Sequence, residues 1–240
     1  MTAPVGPRPP PQWGRAELAW ALLAPPVRAL TAACFDVRAA GLSHVPRRGP
    51  CLLVANHTDH LDPIVMLAAM DRWRGRRTRF LALDDLFDLP LTGWWLRRAR
   101  AIPVARGAGV APMISGVRSA LDAGELVVVY PEGRLPRQPG ARPTARRGVG
   151  TLARALPDTV PIVPVAHRGL EPPSKREPHP ALRLAGRGLG HPVGLAAGAP
   201  LQASDLAGGD DAAAAAALLG VIRSRLAPVA DDLTTRGLAR

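Results

Sequence analysis

From residue 49 the chain alternates short apolar runs with longer segments of mixed polarity, beginning with Cys51, Leu52, Leu53, Val54 and Ala55. A run of this length, apolar at every position, is what a strand covered on both faces by helices requires. Similar runs follow at 79–83, 101–104, 126–130 and 160–166, with helical patterning between them at 89–98, 112–123 and 148–156. Asp62 followed by Pro63 predicts a helix start, with Asp as N-cap and Pro in the first turn. The alternation predicts an α/β fold: a single domain with a central mixed, mostly parallel sheet flanked by helices.

The flanks of this pattern read differently. Residues 1–16 form a disordered Pro-rich head, and 17–40 one or two helices broken at Pro25 and Pro26. That apolar segment is a poor spanning helix because Pro25, Pro26 and Arg28 interrupt it; an interfacial, membrane-associating role and an ordinary packed helix pair both fit. Residues 181–202 are Gly-rich with weak strand signal and predict edge strands, while the alanine run and Leu218, Leu219, Ile222 and Leu226 within 210–231 predict a closing helix. The Pro/Arg-rich pieces at 134–147 and 171–183 read as surface loops. The main domain then runs over 41–232, with its motif-bearing core at 50–169.

Charge narrows the partners. A formal net charge of +12 attracts phosphate-bearing molecules such as anionic lipid, coenzyme A, acidic carrier protein or nucleic acid. With 4% aromatic residues and no zinc-finger, RRM or basic-zipper pattern, nucleic acid is the least suited of these. Cys34 and Cys51 are too few for a disulfide framework and fit a reducing cytoplasm. The N-terminus lacks the basic start and apolar run of a secretory signal, so export is not expected.

Ligands of open α/β sheets collect beyond the carboxyl ends of strands, which directs attention to 56–62, 105–107 and 131–134. The first holds two histidines and two carboxylates. His57 is a candidate general base and Asp62 a candidate partner for its other ring nitrogen, if the strand-to-helix turn folds the carboxylate back onto the ring. Arg106 follows a short strand, and Glu132, Gly133 and Arg134 form a turn; an arginine fork can hold phosphate and a glycine admits close backbone approach. Like charge repels phosphate, so Glu132 reads as an organiser of the loop. Two other readings stand beside this one: a metal-dependent hydrolase built on His57, Asp59 and His60, and a non-catalytic basic membrane-binding protein. No GxSxG elbow is present, which favours direct attack by an activated hydroxyl over a covalent intermediate.

Taken together, four segments resemble the PlsC-like family of glycerolipid acyltransferases. The NHxxxxD motif is matched by Asn56, His57 and Asp62; the arginine-closed strand by Ile102, Pro103, Val104 and Arg106; the PEGTR motif by Pro131, Glu132, Gly133 and Arg134; and the proline-flanked strand by residues 160–165. The likeness runs over 41–169, in the family's order and spacing. It implies that His57 deprotonates the free hydroxyl of a lysophospholipid acceptor, typically lysophosphatidic acid, which attacks the thioester of acyl-CoA or acyl-carrier protein. Asp62 would hold the ring, and Arg106, Glu132, Gly133 and Arg134 would form the acceptor phosphate site. No metal or organic cofactor is implied, and the expected setting is an anionic membrane surface on the cytoplasmic face of the cell, in phospholipid biosynthesis. One departure is visible: Arg134 and Leu135 stand where the family has Thr-Arg, with Arg137 nearby, so either arginine could contact the phosphate.

Overall fold

The computed structural model describes residues 15–105, 107–135, 144–170 and 189–238. Seven strands form one sheet: β1 (Phe35–Ala40), β2 (Cys51–Ala55), β3 (Thr78–Leu83), β4 (Ile102–Val104), β5 (Leu126–Val129), β6 (Ile162–Arg168) and β7 (His191–Ala197). Their order is β1-β7-β6-β2-β5-β3-β4. Every pairing is parallel except β6 with β7. The expected mixed, mostly parallel sheet is what forms.

Among the described residues seven α-helices cover it: α1 (Arg15–Cys34), α2 (Asp62–Arg74), α3 (Pro90–Arg98), α4 (Ala111–Asp122), α5 (Arg147–Arg154), α6 (Asp211–Val221) and α7 (Ala227–Leu238), the last two joined by a π-helical turn at Ile222–Leu226. Strand periodicity divides β2 between two cores. Leu52 and Val54 pack with Val127 and Val129 of β5 against α4, α5 and α6, whereas Cys51, Leu53 and Ala55 pack with Leu126 and Val128 against α2 and α3. All five β2 side chains are fully buried, which is why the strand shows no polar alternation.

Three expectations are corrected. Residues 17–40 are not all helical: α1 ends at Cys34, and Phe35–Ala40 forms edge strand β1, paired in parallel with β7. Its signal is poor because Asp36 and Arg38 bond to each other at 2.8 Å on a partly exposed edge. The helix also runs unbroken through Pro25 and Pro26, with packing of Ala24, Thr31 and Cys34 and an Arg28–Asp71 ion pair at 3.2 Å outweighing the lost backbone bonds. Within 181–202, the strand that forms lies inside the sheet between β1 and β6, not at its edge.

The run Asp211–Thr235 is long and apolar enough to cross a membrane by composition. Yet Ala214, Ala215, Leu218, Leu219 and Ile222 are buried against the sheet and α5, so its apolar content has a use inside the fold.

Arg76 staples the amino-terminal end of the sheet. Its guanidinium donates to the carbonyls of Pro46 at 2.9 Å, Gly49 at 2.7 Å and Gly124 at 3.1 Å, tying together the segments that lead into β2 and β5.

Candidate active site

At the carboxyl end of β2 the chain turns sharply into α2, and the turn is organised by one carboxylate. Asp62 is 1% exposed, and its Oδ2 accepts from the backbone N–H of Thr58 at 2.6 Å and of Asp59 at 2.9 Å. The same oxygen meets His57 Nδ1 at 2.8 Å. The expected side-chain cap by Asp62 does not form: the cap position is Leu61, and the Asp62 carboxylate reaches backwards into the preceding turn. That reversal is what brings HxxxxD together.

A carboxylate can only accept, so Nδ1 of His57 carries the hydrogen and Nε2 is left with the lone pair. The Tyr130 ring stacks on the imidazole, with centroids 4.3 Å apart and planes 21° from parallel. Burial of the Tyr130 hydroxyl, aided by the charges of Asp62 and Glu132, pushes its pKa well above 10, so it stays a phenol. Burial alone would raise the pKa of Asp62, but the charges and hydrogen bonds of His167 and then His57 outweigh it and hold the carboxyl well below the usual range. The site therefore sets an ionised, buried carboxylate against the His57 imidazole.

Glu132 arrives from the turn after β5. It is buried, and its Oε1 accepts the backbone N–H of His57 at 3.2 Å, which makes it a brace for the histidine's main chain. Its Oε2 has no hydrogen-bond partner among the described residues. Burial raises its pKa against the opposing pull of the N–H groups of Glu132 and His57. Gly133, at φ 62°, takes the left-handed conformation, and the Arg146 side chain lies across it: a Cβ there would stand 3.2 Å from Arg146 Cγ. Arg134 is exposed beside it, and the Arg146 N–H bonds the Pro131 carbonyl at 2.7 Å, closing the loop's two ends. Arg106 and Arg137 lie outside the described residues.

Three participants carry no distinguishing mark in the sequence. Arg146 belongs to a loop rich in arginine, where nothing sets one above another. Tyr130 reads as the end of an apolar strand. His167 reads as a distant histidine, though it lies next to the carboxyl end of β6, and the rule that directs attention to the other strand ends applies to it equally. It is 1% exposed, with Nε2 2.6 Å from the Asn56 carbonyl and 3.4 Å from Asp62 Oδ2. Asn56 clasps its backbone: Asn56 Nδ2 donates to the His167 carbonyl at 3.1 Å, and the His167 N–H donates to Asn56 Oδ1 at 2.8 Å.

The metal-ligand reading of His57, Asp59 and His60 finds no convergent donor set. Asp59 turns inward to accept the Leu61 N–H at 2.9 Å, and His60 is exposed. Among the described residues no group of three or more His, Cys, Asp or Glu side chains is arranged to hold an ion.

Beside the dyad an apolar cleft of about 240 Å³ opens between α1, α2 and α3, lined by Leu30, Cys34, Phe35, Leu61, Ile64 and Trp95. Leu61, which lines the cleft, directly precedes Asp62 in the chain.

Comparison with known proteins places the chain in a family. The chain is 32% identical over 163 residues to an uncharacterised protein of Mycobacterium tuberculosis, covering 63% of this chain and 42% of that one. It is 31% identical over 133 residues to the lyso-ornithine lipid O-acyltransferase of Pseudomonas aeruginosa, covering 55% and 47%. It is 27% identical over 134 residues to the N-acylphosphatidylethanolamine synthase of Arabidopsis thaliana, covering 51% and 45%. The matches thus span under half the length of these curated relatives. The crystal structure of the 1-acyl-sn-glycerophosphate acyltransferase PlsC from Thermotoga maritima superposes with a TM-score of 0.61 at 18% identity, over 86% of this chain and 79% of that one, which establishes the shared fold. The acyltransferase family profile matches residues 36–168, from the first strand to the end of β6. The chain belongs to this acyltransferase family.

Proposed function

We propose that the protein transfers a fatty acyl group from acyl-CoA or acyl-carrier protein to the free hydroxyl of a lysophospholipid, with lysophosphatidic acid, giving phosphatidic acid, as the foremost acceptor. The observation that carries this reading is the 2.8 Å contact between His57 Nδ1 and the buried Asp62 carboxylate, beside a glycine turn flanked by arginines. In the reaction, His57 Nε2 takes the acceptor's proton as its oxygen attacks the thioester carbonyl. The C–S bond then breaks, and the imidazolium returns the proton to the departing thiolate. Asp62 holds the tautomer and balances the transient positive charge, an arrangement worth about 10²- to 10⁴-fold in rate. No metal or organic cofactor takes part in these steps.

Gly133, Arg134 and Arg146 supply the phosphate side of the acceptor site, with Arg106 assigned there from the sequence motif. Glu132 contributes by bracing the His57 backbone. The apolar cleft at Leu30, Phe35 and Trp95 receives acyl chain. Exposed apolar side chains, Leu22 and Leu30 on α1 and Leu91 and Trp94 on α3, accompany Arg98, whose guanidinium lies 4.2 Å from the Trp94 ring. An aromatic beside a cation suits a lipid headgroup region, so this face docks on an anionic membrane, at its cytoplasmic side. A place in phospholipid biosynthesis follows from these substrates.

Labelled acyl-CoA and acyl-carrier protein, each offered with lysophosphatidic acid and with lyso-ornithine lipid, test the reading. Transfer to a lysolipid hydroxyl is expected, falling at least about a hundredfold in His57→Ala. Full rate in that variant removes His57 from the mechanism, and transfer to none of the acceptors rejects the assignment. Co-sedimentation with phosphatidylglycerol vesicles, weakened in Leu91→Asp, checks the docking face.

A further inference from the structure

The dyad has a third member on the opposite strand. A backbone carbonyl can only accept, so the 2.6 Å contact with the Asn56 carbonyl requires His167 to carry a hydrogen on Nε2. The same nitrogen lies 3.4 Å from Asp62 Oδ2, the oxygen that binds His57 Nδ1. Two imidazoles, one from the β2–α2 turn and one from β6, thus address one carboxylate oxygen, and both are buried or partly buried.

We propose that His167 is a positioning residue for the catalytic pair, sharing the Asp62 carboxylate with His57 and thereby setting the pH at which His57 becomes free to accept a proton. The proposal rests on the reading of His57 as the base. The electropositive Nε2–H edge of His167, 3.4 Å from Asp62 Oδ2, offsets part of the carboxylate's charge, so losing that ring leaves Asp62 to hold the His57 proton more strongly. The depressed pKa of Asp62 agrees: against the burial that would raise it, His167 acts more strongly than His57.

Among the described residues, other titratable groups surround this pair. From the β2–α2 turn, His57 and Asp62 face His167; from the end of β5, Tyr130 and Glu132 lie close enough to act on the pair. On the far side of β6, Arg168 is paired with Asp231 of α7 at 3.1 Å, and on β7 His191 bonds the Gly169 carbonyl at 2.6 Å. Replacement of the His167 side chain leaves the backbone clasp with Asn56 intact, because that clasp uses only His167 N–H and C=O.

His167→Leu removes the shared donor, and His167→Gln returns an N–H near the position of Nε2. The acid limb of the rate–pH profile is expected to move up by about half a pH unit or more in His167→Leu and to return towards wild type in His167→Gln. NMR of ¹³C-labelled histidine follows the His57 titration directly, without substrate, and the same displacement is expected there. In the wild-type protein the His167 Nε2–H resonance, identified by its loss in His167→Gln, is expected to shift as His57 titrates; this measurement does not depend on the leucine variant folding. An acid limb unmoved in folded His167→Leu, equal displacement in both variants, or an Nε2–H resonance constant through the His57 titration overturns the proposal. Full activity in His57→Ala would instead sink the base assignment and leave the NMR coupling as observed.

Discussion

Asp62→Asn changes one charge and almost no volume, and the consequences can be worked from the geometry. With His57 Nδ1 at 2.8 Å, the charge centres of imidazolium and carboxylate are about 4 Å apart, an attraction of about 4 kcal/mol at an effective dielectric near 20. At about 1.4 kcal/mol per decade this corresponds to roughly a thousandfold in rate. The asparagine oxygen can occupy the Oδ2 position and still serve the Thr58 and Asp59 N–H groups and His57 Nδ1, so the variant reports on the lost charge. The measurement is the initial rate of acyl transfer at saturating acceptor, with a thermal melt establishing that the variant is folded. A folded Asp62→Asn enzyme within about threefold of wild type would refute both the strength of this attraction and the role given to the carboxylate.

Three further outcomes are expected. Arg76→Met leaves the carbonyls of Pro46, Gly49 and Gly124 without their donor and should lower unfolding free energy by about 3 kcal/mol, read by urea denaturation, without altering the pH dependence of the rate. Gly150→Ala places a methyl group against the Asp211 carbonyl oxygen where α5 crosses α6; a loss of about 1–3 kcal/mol is expected in the same assay. Because the folded protein keeps Asp62 ionised where the unfolded chain would protonate it, the unfolded state binds more protons as pH falls below about 4, and wild-type stability should decline there more steeply than that of Asp62→Asn in acid-titration melts.

The parts of the fold that are legible in sequence are those in which local pattern and burial coincide. The strand at 51–55 is apolar throughout because both faces are covered, and the Asp62-Pro63 start marks α2 to within a residue. The spacing of His57 and Asp62 announces a pair, but only the reversed reach of the carboxylate into the Thr58–Asp59 backbone explains how five positions close to 2.8 Å. What escapes depends on distant chain. Strand β1 is recruited by β7 more than 150 positions later, and its Asp36–Arg38 pair hides the alternation. Helix α1 survives two prolines because its packing on α2 decides the matter, which no window around Pro25 contains. His167 lies 111 positions from Asn56, and nothing near it in the chain names its partner.

The clasp between Asn56 and the main chain of His167 has a bearing on how such an enzyme could change its substrate. A side-chain amide here completes the seam between two central strands, so His57 follows directly on a residue tied into the sheet. Discrimination among acceptors is then left to the arginine-bearing rim and to how deeply the protein settles into lipid. Those features can drift, or be redesigned, while the proton-transfer machinery beneath them stays as it is.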